Sequence, residues 1–141
     1  MLTGIRETIR DLDIEYTRKS LVAIYSRGAM SVYVDQPIHR FRQMLMCHML
    51  ADSPEELHEM ADRIGMARKW YQYDASTPHY DLPREKRAAA IAAGAVEVAR
   101  RDLVAVIRRI RTSIRACPDG GAWGRDRRLA ATAAAGRRSV A

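Results

Sequence analysis

Met44-Leu45-Met46-Cys47-His48-Met49-Leu50-Ala51-Asp52-Ser53-Pro54-Glu55-Glu56 decides the fold class. Residues 44–51 are nearly continuous apolar and run into Asp52; their later part suits a second strand, and the same composition also suits a helix. Ser53-Pro54-Glu55-Glu56 then forms a capping box with proline at the first helical position, so a helix begins here. Leu57, Met60, Ala61 and Ile64 recur on one helical face, and Gly65 supplies a left-handed stop. A strand followed at once by an amphipathic helix is the unit of an α/β protein.

The same alternation extends outward. Ser31-Val-Tyr-Val-Asp35 is a short buried strand, followed by a polar loop from Gln36 to about Gln43. Lys69 to Tyr73 carries Trp70, Tyr71 and Tyr73 and suits a third strand. These aromatics fit a core, or a surface that stacks a base or a nicotinamide ring. Asp81 can cap a second helix from Leu82 to about Ala93, ended by Gly94. Ala95 to Ala99 is a fourth strand. A third helix covers about Arg101 to Arg115, with Leu103, Val106, Ile107, Ile110 and Ile114 on one face. Strands alternating with helices imply crossovers. The expected fold is therefore a small α/β domain of two or three layers, Rossmann-like, with a mostly parallel sheet of three or four strands and three helices. In such sheets ligands bind at the carboxyl ends of the strands. Asp35, Asp52, His79-Tyr80-Asp81 and Arg100-Arg101 would then meet on one rim.

Composition narrows the classes. At 141 residues the chain is expected to hold a core domain over 30–116, an N-terminal extension over 1–29 and a disordered basic tail over 117–141, rich in Gly, Ala and Arg. The net charge of +7 lies wholly in residues 101–141, where ten basic groups face three acidic ones. The histidine-bearing middle is near neutral, which argues against a phosphate-backbone clamp built into the core. Cys47 and Cys117 are far apart and form no CxxC pair, so they suit reduced thiols in a cytoplasmic protein. No apolar stretch approaches a membrane span, and no membrane contact is expected. GxGxxG, Walker, GxSxG and HExxH patterns are all absent.

All four histidines, His39, His48, His58 and His79, fall within 41 residues, among Asp35, Asp52 and Asp81. Imidazoles and carboxylates bind metals and move protons near neutral pH. Asp35, His48, Asp52 and Asp81 are candidate ligands of a divalent metal. His58 and His79 are candidate acid–base or supporting groups, and Arg68 a candidate partner for a small anionic ligand or substrate. His39 lies in a loop and suits simple exposure. Each has a plainer alternative: a core hydrogen bond for His48 and His58, a turn cap for Asp35, a helix cap for Asp81, a surface ion pair for Arg68.

Val32-Tyr33-Val34-Asp35, Cys47-His48-Met49-Leu50-Ala51-Asp52-Ser53, Glu56-Leu57-His58, Ile64-Gly65 with Arg68, His79-Tyr80-Asp81 and Gly94-Ala95-Val96 together resemble one small family, domain of unknown function 4031, found in phages and bacteria. The resemblance covers about residues 30–112. It implies no activity. It implies a natural start near Met30, with residues 1–29 as an extension.

Two functions follow as expectations, with a third alternative beside them. One is a metal-dependent hydrolase or phosphoesterase, or a ligand-binding domain, with a His/Asp rim site. The other is a nucleic-acid accessory protein making weak contact through Arg101, Arg108, Arg111 and Arg115 and the basic tail. A phage-type interaction module whose histidines only rigidify the fold is the third alternative.

Overall fold

The computed structural model describes residues 31–139. Six strands and four helices follow in order: β1 (Val32–Val34), β2 (His39–Phe41), β3 (Met44–Ala51), α1 (Pro54–Arg63), a 3-10 turn (Arg68–Trp70), β4 (Tyr71–Gln72), β5 (His79–Pro83), α2 (Arg84–Ala92), β6 (Val96–Glu97), α3 (Arg100–Ala116) and α4 (Gly121–Ser139). The strands form one sheet in the order β4-β5-β3-β1-β6, with β2 also paired to β3.

The protein is α/β, but the sheet is mixed and mostly antiparallel. Among the described strands only β1 and β6 run parallel; β3 pairs antiparallel with β1, β2 and β5, and β4 with β5. A Rossmann-like parallel sheet and its rim of strand ends are therefore overturned. The reason is connection length. A parallel neighbour needs a crossover of a dozen or more residues, whereas β2 reaches β3 through the two residues Arg42 and Gln43. Likewise β4 returns to β5 through the short loop that ends at Pro78.

Several local signals hold. Ser53 caps α1, its hydroxyl accepting from the Glu56 amide, with Pro54 at the first helical position. Gly65 (φ 68) and Gly94 (φ 105) take the left-handed conformation just past α1 and α2. The third helix spans Arg100–Ala116, with Leu103, Val106 and Ile110 buried.

The expected loop from Gln36 to Gln43 contains strand β2, because the Arg42-Gln43 turn folds it back onto β3, and the expected strand from Lys69 to Tyr73 shortens to Tyr71–Gln72 behind the Arg68–Trp70 turn. Two further elements differ. Asp81 does not cap a helix; it sits inside β5, and α2 starts at Arg84 after Pro83. A residue before proline is held extended, so Leu82 continues the strand. Alternate burial of Tyr80 and Leu82 marks the same strand. Residues 121–139, expected to be disordered, form the fourth helix. Ala and Arg are strong helix formers, and Trp123 is only 3 % exposed, anchoring the segment. α4 packs on α1 and α3. Residues 1–29, the expected extension, lie outside the described residues.

Side-chain alternation gives the sheet two unlike faces. Cys47 and Met49 of β3 are fully buried, and Tyr80, paired with Met49, bonds to His58 of α1. α1 therefore covers that face. On the other face, Tyr33 and Leu50 are buried, and Arg109 of α3 reaches the Tyr33 hydroxyl at 2.9 Å. Further along this face His48 is half-buried and Met44 exposed. This part of the sheet face is thus left uncovered by the described elements. The candidate site lies there.

Candidate functional site

Strand pairing builds the site. His48 of β3 stands directly opposite Asp81 of β5, and His79, two residues earlier, shares the face of Asp81. β1 and β2 lie in succession along the other edge of β3. Val34 pairs with Met49 and His39 with Met46, five residues against three, so two extra residues bulge between them. Bulges re-aim side chains. Here the bulge follows Asp35, whose carboxylate turns back onto His48.

The hydrogen bonds fix the tautomers. Asp35 is 3 % exposed. Its two oxygens accept from the His48 backbone amide at 2.6 Å and from His48 Nδ1–H at 2.9 Å. His79 donates Nδ1–H to the Thr77 carbonyl at 2.8 Å, since a carbonyl only accepts. Both rings therefore hold a proton on Nδ1 and turn Nε2 to Asp81. His48 Nε2 lies 3.7 Å and His79 Nε2 3.5 Å from Asp81 Oδ1. His39 joins the group, its ring centroid 4.4 Å from that of His48.

Electrostatics point the same way. Burial alone would lower the His79 pKa, but the Asp81 carboxylate and the Thr77 carbonyl outweigh it and raise the value. The His79 imidazole beside it, opposed by burial, holds the Asp81 carboxyl below the usual carboxylate range. The space between them favours positive charge.

The distances suit a metal ion. Ligand bonds of 2.0–2.2 Å in a tetrahedron put donor atoms about 3.3–3.6 Å apart. His48, His79 and Asp81 can each offer one atom, all within 4.8 Å of one another; Asp35, His39 and His48 meet the same test. Because Asp35 already accepts Nδ1–H, it is better placed to orient His48 than to ligate. A carboxylate or carbonyl behind each ligating imidazole is the usual support in metal sites.

The remaining candidates lie elsewhere. Asp52 accepts from the Tyr33 hydroxyl at 3.0 Å and from Arg109 at 2.7 Å, away from the cluster. Arg68 pairs with Asp62 on the surface at 2.8 Å. His58, on the opposite sheet face, belongs to a second network. Its Nε2–H donates to Asp126 of α4 at 2.8 Å, and its Nδ1 accepts from the Tyr80 hydroxyl at 2.9 Å. Tyr71 donates to the other Asp126 oxygen at 2.6 Å and stacks on Tyr80. Burial lowers the His58 pKa despite Asp126, and raises those of Tyr71 and Tyr80, so all three stay neutral near pH 7. Burial also pushes the Cys47 thiol up to about 12, which leaves it unreactive. Of the arginine stripe, Arg101, Arg108 and Arg115 are exposed, whereas Arg111 is tied to Thr77 and Ser76.

Two contributors escape sequence reasoning. His39 enters only through the β2–β3 hairpin, whose Arg42-Gln43 turn lacks the usual Asn-Gly signal. Asp126 comes from a segment with no apolar periodicity to mark it.

Fold and site together define a small α/β domain with a His/Asp cluster on an open sheet face. The chain belongs to the family described as Protein of unknown function (DUF4031), matched over residues 32–110. That span contains the whole cluster and excludes α4. No curated protein and no solved structure matches the chain. Among the described residues no helix is long and apolar enough to cross a membrane.

Proposed function

We propose that the protein is a divalent-metal-dependent hydrolase of small anionic esters, with His48, His79 and Asp81 as ligands. One observation carries this reading: two imidazoles, each locked by its Nδ1–H, aim Nε2 at one carboxylate oxygen at near-tetrahedral spacing. Two imidazoles and a carboxylate suit zinc, manganese or iron better than calcium. A bound ion supplies Lewis acidity and lowers the pKa of water. Asp35 holds the His48 ring in its ligating tautomer. His39, exposed beside His48, is placed to take the proton of the attacking water. Water then adds at the ester centre, the ester bond breaks, and the leaving oxygen takes the proton that His39 accepted, which returns His39 to its neutral form. Arg40, Lys69 and Lys86 line the adjoining cleft and offset substrate charge.

Metal analysis by mass spectrometry, on full chain purified without chelator, tests the reading. One equivalent per chain, lost in His48→Ala and in His79→Ala, supports it. No bound metal, or metal retained in both variants, overturns it. His39→Ala should keep the metal and lower turnover of an ester substrate by about 10²–10⁴-fold.

A second reading rests on the exposure of Arg101, Arg108 and Arg115 along α3. It is weak nucleic-acid contact, and binding that does not weaken with salt would refute it.

A further inference from the structure

His39, His48 and Asp81 of the cluster line one end of an open cleft of about 870 Å³, within the size range of small-molecule sites, and His79 stands beside Asp81 behind that lining. The cleft floor is the uncovered sheet face. Cross-strand pairs His39–Met46 and Phe41–Met44 continue it from the cluster to the hairpin end. From His48 to Met44 is four residues of strand, about 13 Å. Polar ligating groups thus lie at one end and an apolar strip at the other.

The walls add two features. Phe41 is 53 % and Trp70 52 % exposed, unusual for such large rings, and both line this one cleft with Met44 and Met46. Large apolar groups exposed together mark a binding surface more often than scattered ones do. Each ring also carries a cation: Arg42 lies 5.6 Å from the Phe41 centroid, and Lys69 Nζ 5.1 Å from that of Trp70. Among the described lining residues, Arg40, Lys69 and Lys86 give three positive side chains against the one carboxylate of Asp81. An apolar strip, aromatic rings and excess positive charge complement a ligand that is aromatic at one end and anionic at the other.

We propose that the cleft binds a free aromatic phosphoester of about mononucleotide size, its phosphoryl group at His48, His79 and Asp81 and its ring against Phe41, Met44 and Trp70. The phosphoryl placement rests on the metal-site reading; the ring placement rests on the cleft alone. A nucleic-acid end carries the same chemistry, but the short floor favours the free ester.

Calorimetric titration of the full chain, loaded with one equivalent of manganese, tests the assignment. The probes are adenosine 5′-monophosphate, ribose 5-phosphate and a 5′-phosphorylated single-stranded oligonucleotide. Stacking of one ring on an aromatic side chain corresponds to about 5- to 150-fold in affinity. The nucleotide should therefore bind at least about fivefold tighter than ribose 5-phosphate. That ratio should fall below threefold in Trp70→Ala, with metal content unchanged. Phe41→Ala carries the same test on another element if Trp70→Ala does not fold. Equal affinities in the wild type, an unchanged ratio in the folded variant, or no binding of the nucleotide at millimolar concentration would overturn the proposal. So would an oligonucleotide that binds over tenfold tighter than the nucleotide. Failure of the metal reading looks different: no manganese is retained, yet the preference for nucleotide over ribose 5-phosphate persists.

Discussion

Asp35→Asn changes one atom of the carboxylate that grips His48, and separates its structural role from its orienting role. Asp35 is buried and accepts two hydrogen bonds from His48, one from the backbone amide and one from the ring. An amide keeps one acceptor oxygen but turns an NH₂ toward the other donor. One charge-assisted bond is lost and one half-buried donor is left facing another. Together these cost about 2–3 kcal/mol. With an unfolding entropy of about 2.1 cal/mol/K per residue over roughly 110 residues, the melting temperature should fall by about 9–13 °C. Loss of the support behind a ligating imidazole should also weaken metal affinity by about 10–100-fold. Thermal melts in chelator measure the first effect, and competitive titration with a metal indicator the second. Asp52→Asn is the control. Asp52 bonds to Tyr33 and Arg109 at 27 % side-chain exposure and lies outside the cluster. It should lose about 1 kcal/mol and bind metal within twofold of wild type. If Asp35→Asn is destabilised but binds metal as tightly as that control, Asp35 does not orient a ligand and the reasoning fails.

Three further outcomes follow from the structure. Trp123→Ala should cost about 3–5 kcal/mol in urea unfolding, because Trp123 anchors α4. Trp123→Phe should cost less than about 2 kcal/mol, since the Trp123 Nε1–H has no hydrogen-bond partner among the described residues; equal losses would place the anchor elsewhere. His58 has a folded pKa below its ordinary 6.5, so the unfolded chain binds the extra proton first. Its stabilising contribution is present above pH 6.5 and fades as pH falls through the folded value. The fall in stability from pH 6.5 to 5 should thus be shallower in His58→Gln than in wild type, and parallel curves would contradict the assignment. Arg42, at φ 55 in the β2–β3 turn, is in a conformation that costs an L-residue about 1–2 kcal/mol. Arg42→Gly should gain about 0.5–1 kcal/mol once the greater unfolded-state freedom of glycine is subtracted, and a destabilised variant in urea would refute the strain.

Local signals were legible where the chain itself supplies them. Ser53-Pro54 set the start of α1, Gly65 and Gly94 ended two helices, and apolar periodicity marked α3. The apolar run at Val32–Val34 was legible as a strand, and so was the later part of Met44–Ala51, although its composition also suited a helix. The Asp81 cap failed because the extended bias before Pro83 and cross-strand pairing with His48 outweighed its capping preference. The Gly121–Ser139 helix was hidden because its hold on the domain, Trp123 and Asp126, is tertiary. Within the sequence cluster, His58 and Asp52 looked as promising as His48 and Asp81.

By itself the sequence determined the α/β class, the family and the segment that carries the histidines and aspartates. Those depend on residue type, helix caps and short-range periodicity, all local to the chain. Only the tertiary structure decided strand direction, and with it which groups meet. A strand's apolar pattern is the same read in either direction, and a one-residue change of register sends every side chain to the opposite face. The antiparallel pairing of β3 with β5 therefore put His48 beside His79 and Asp81, and left His58 of α1 on the opposite face with Tyr80 and Asp126.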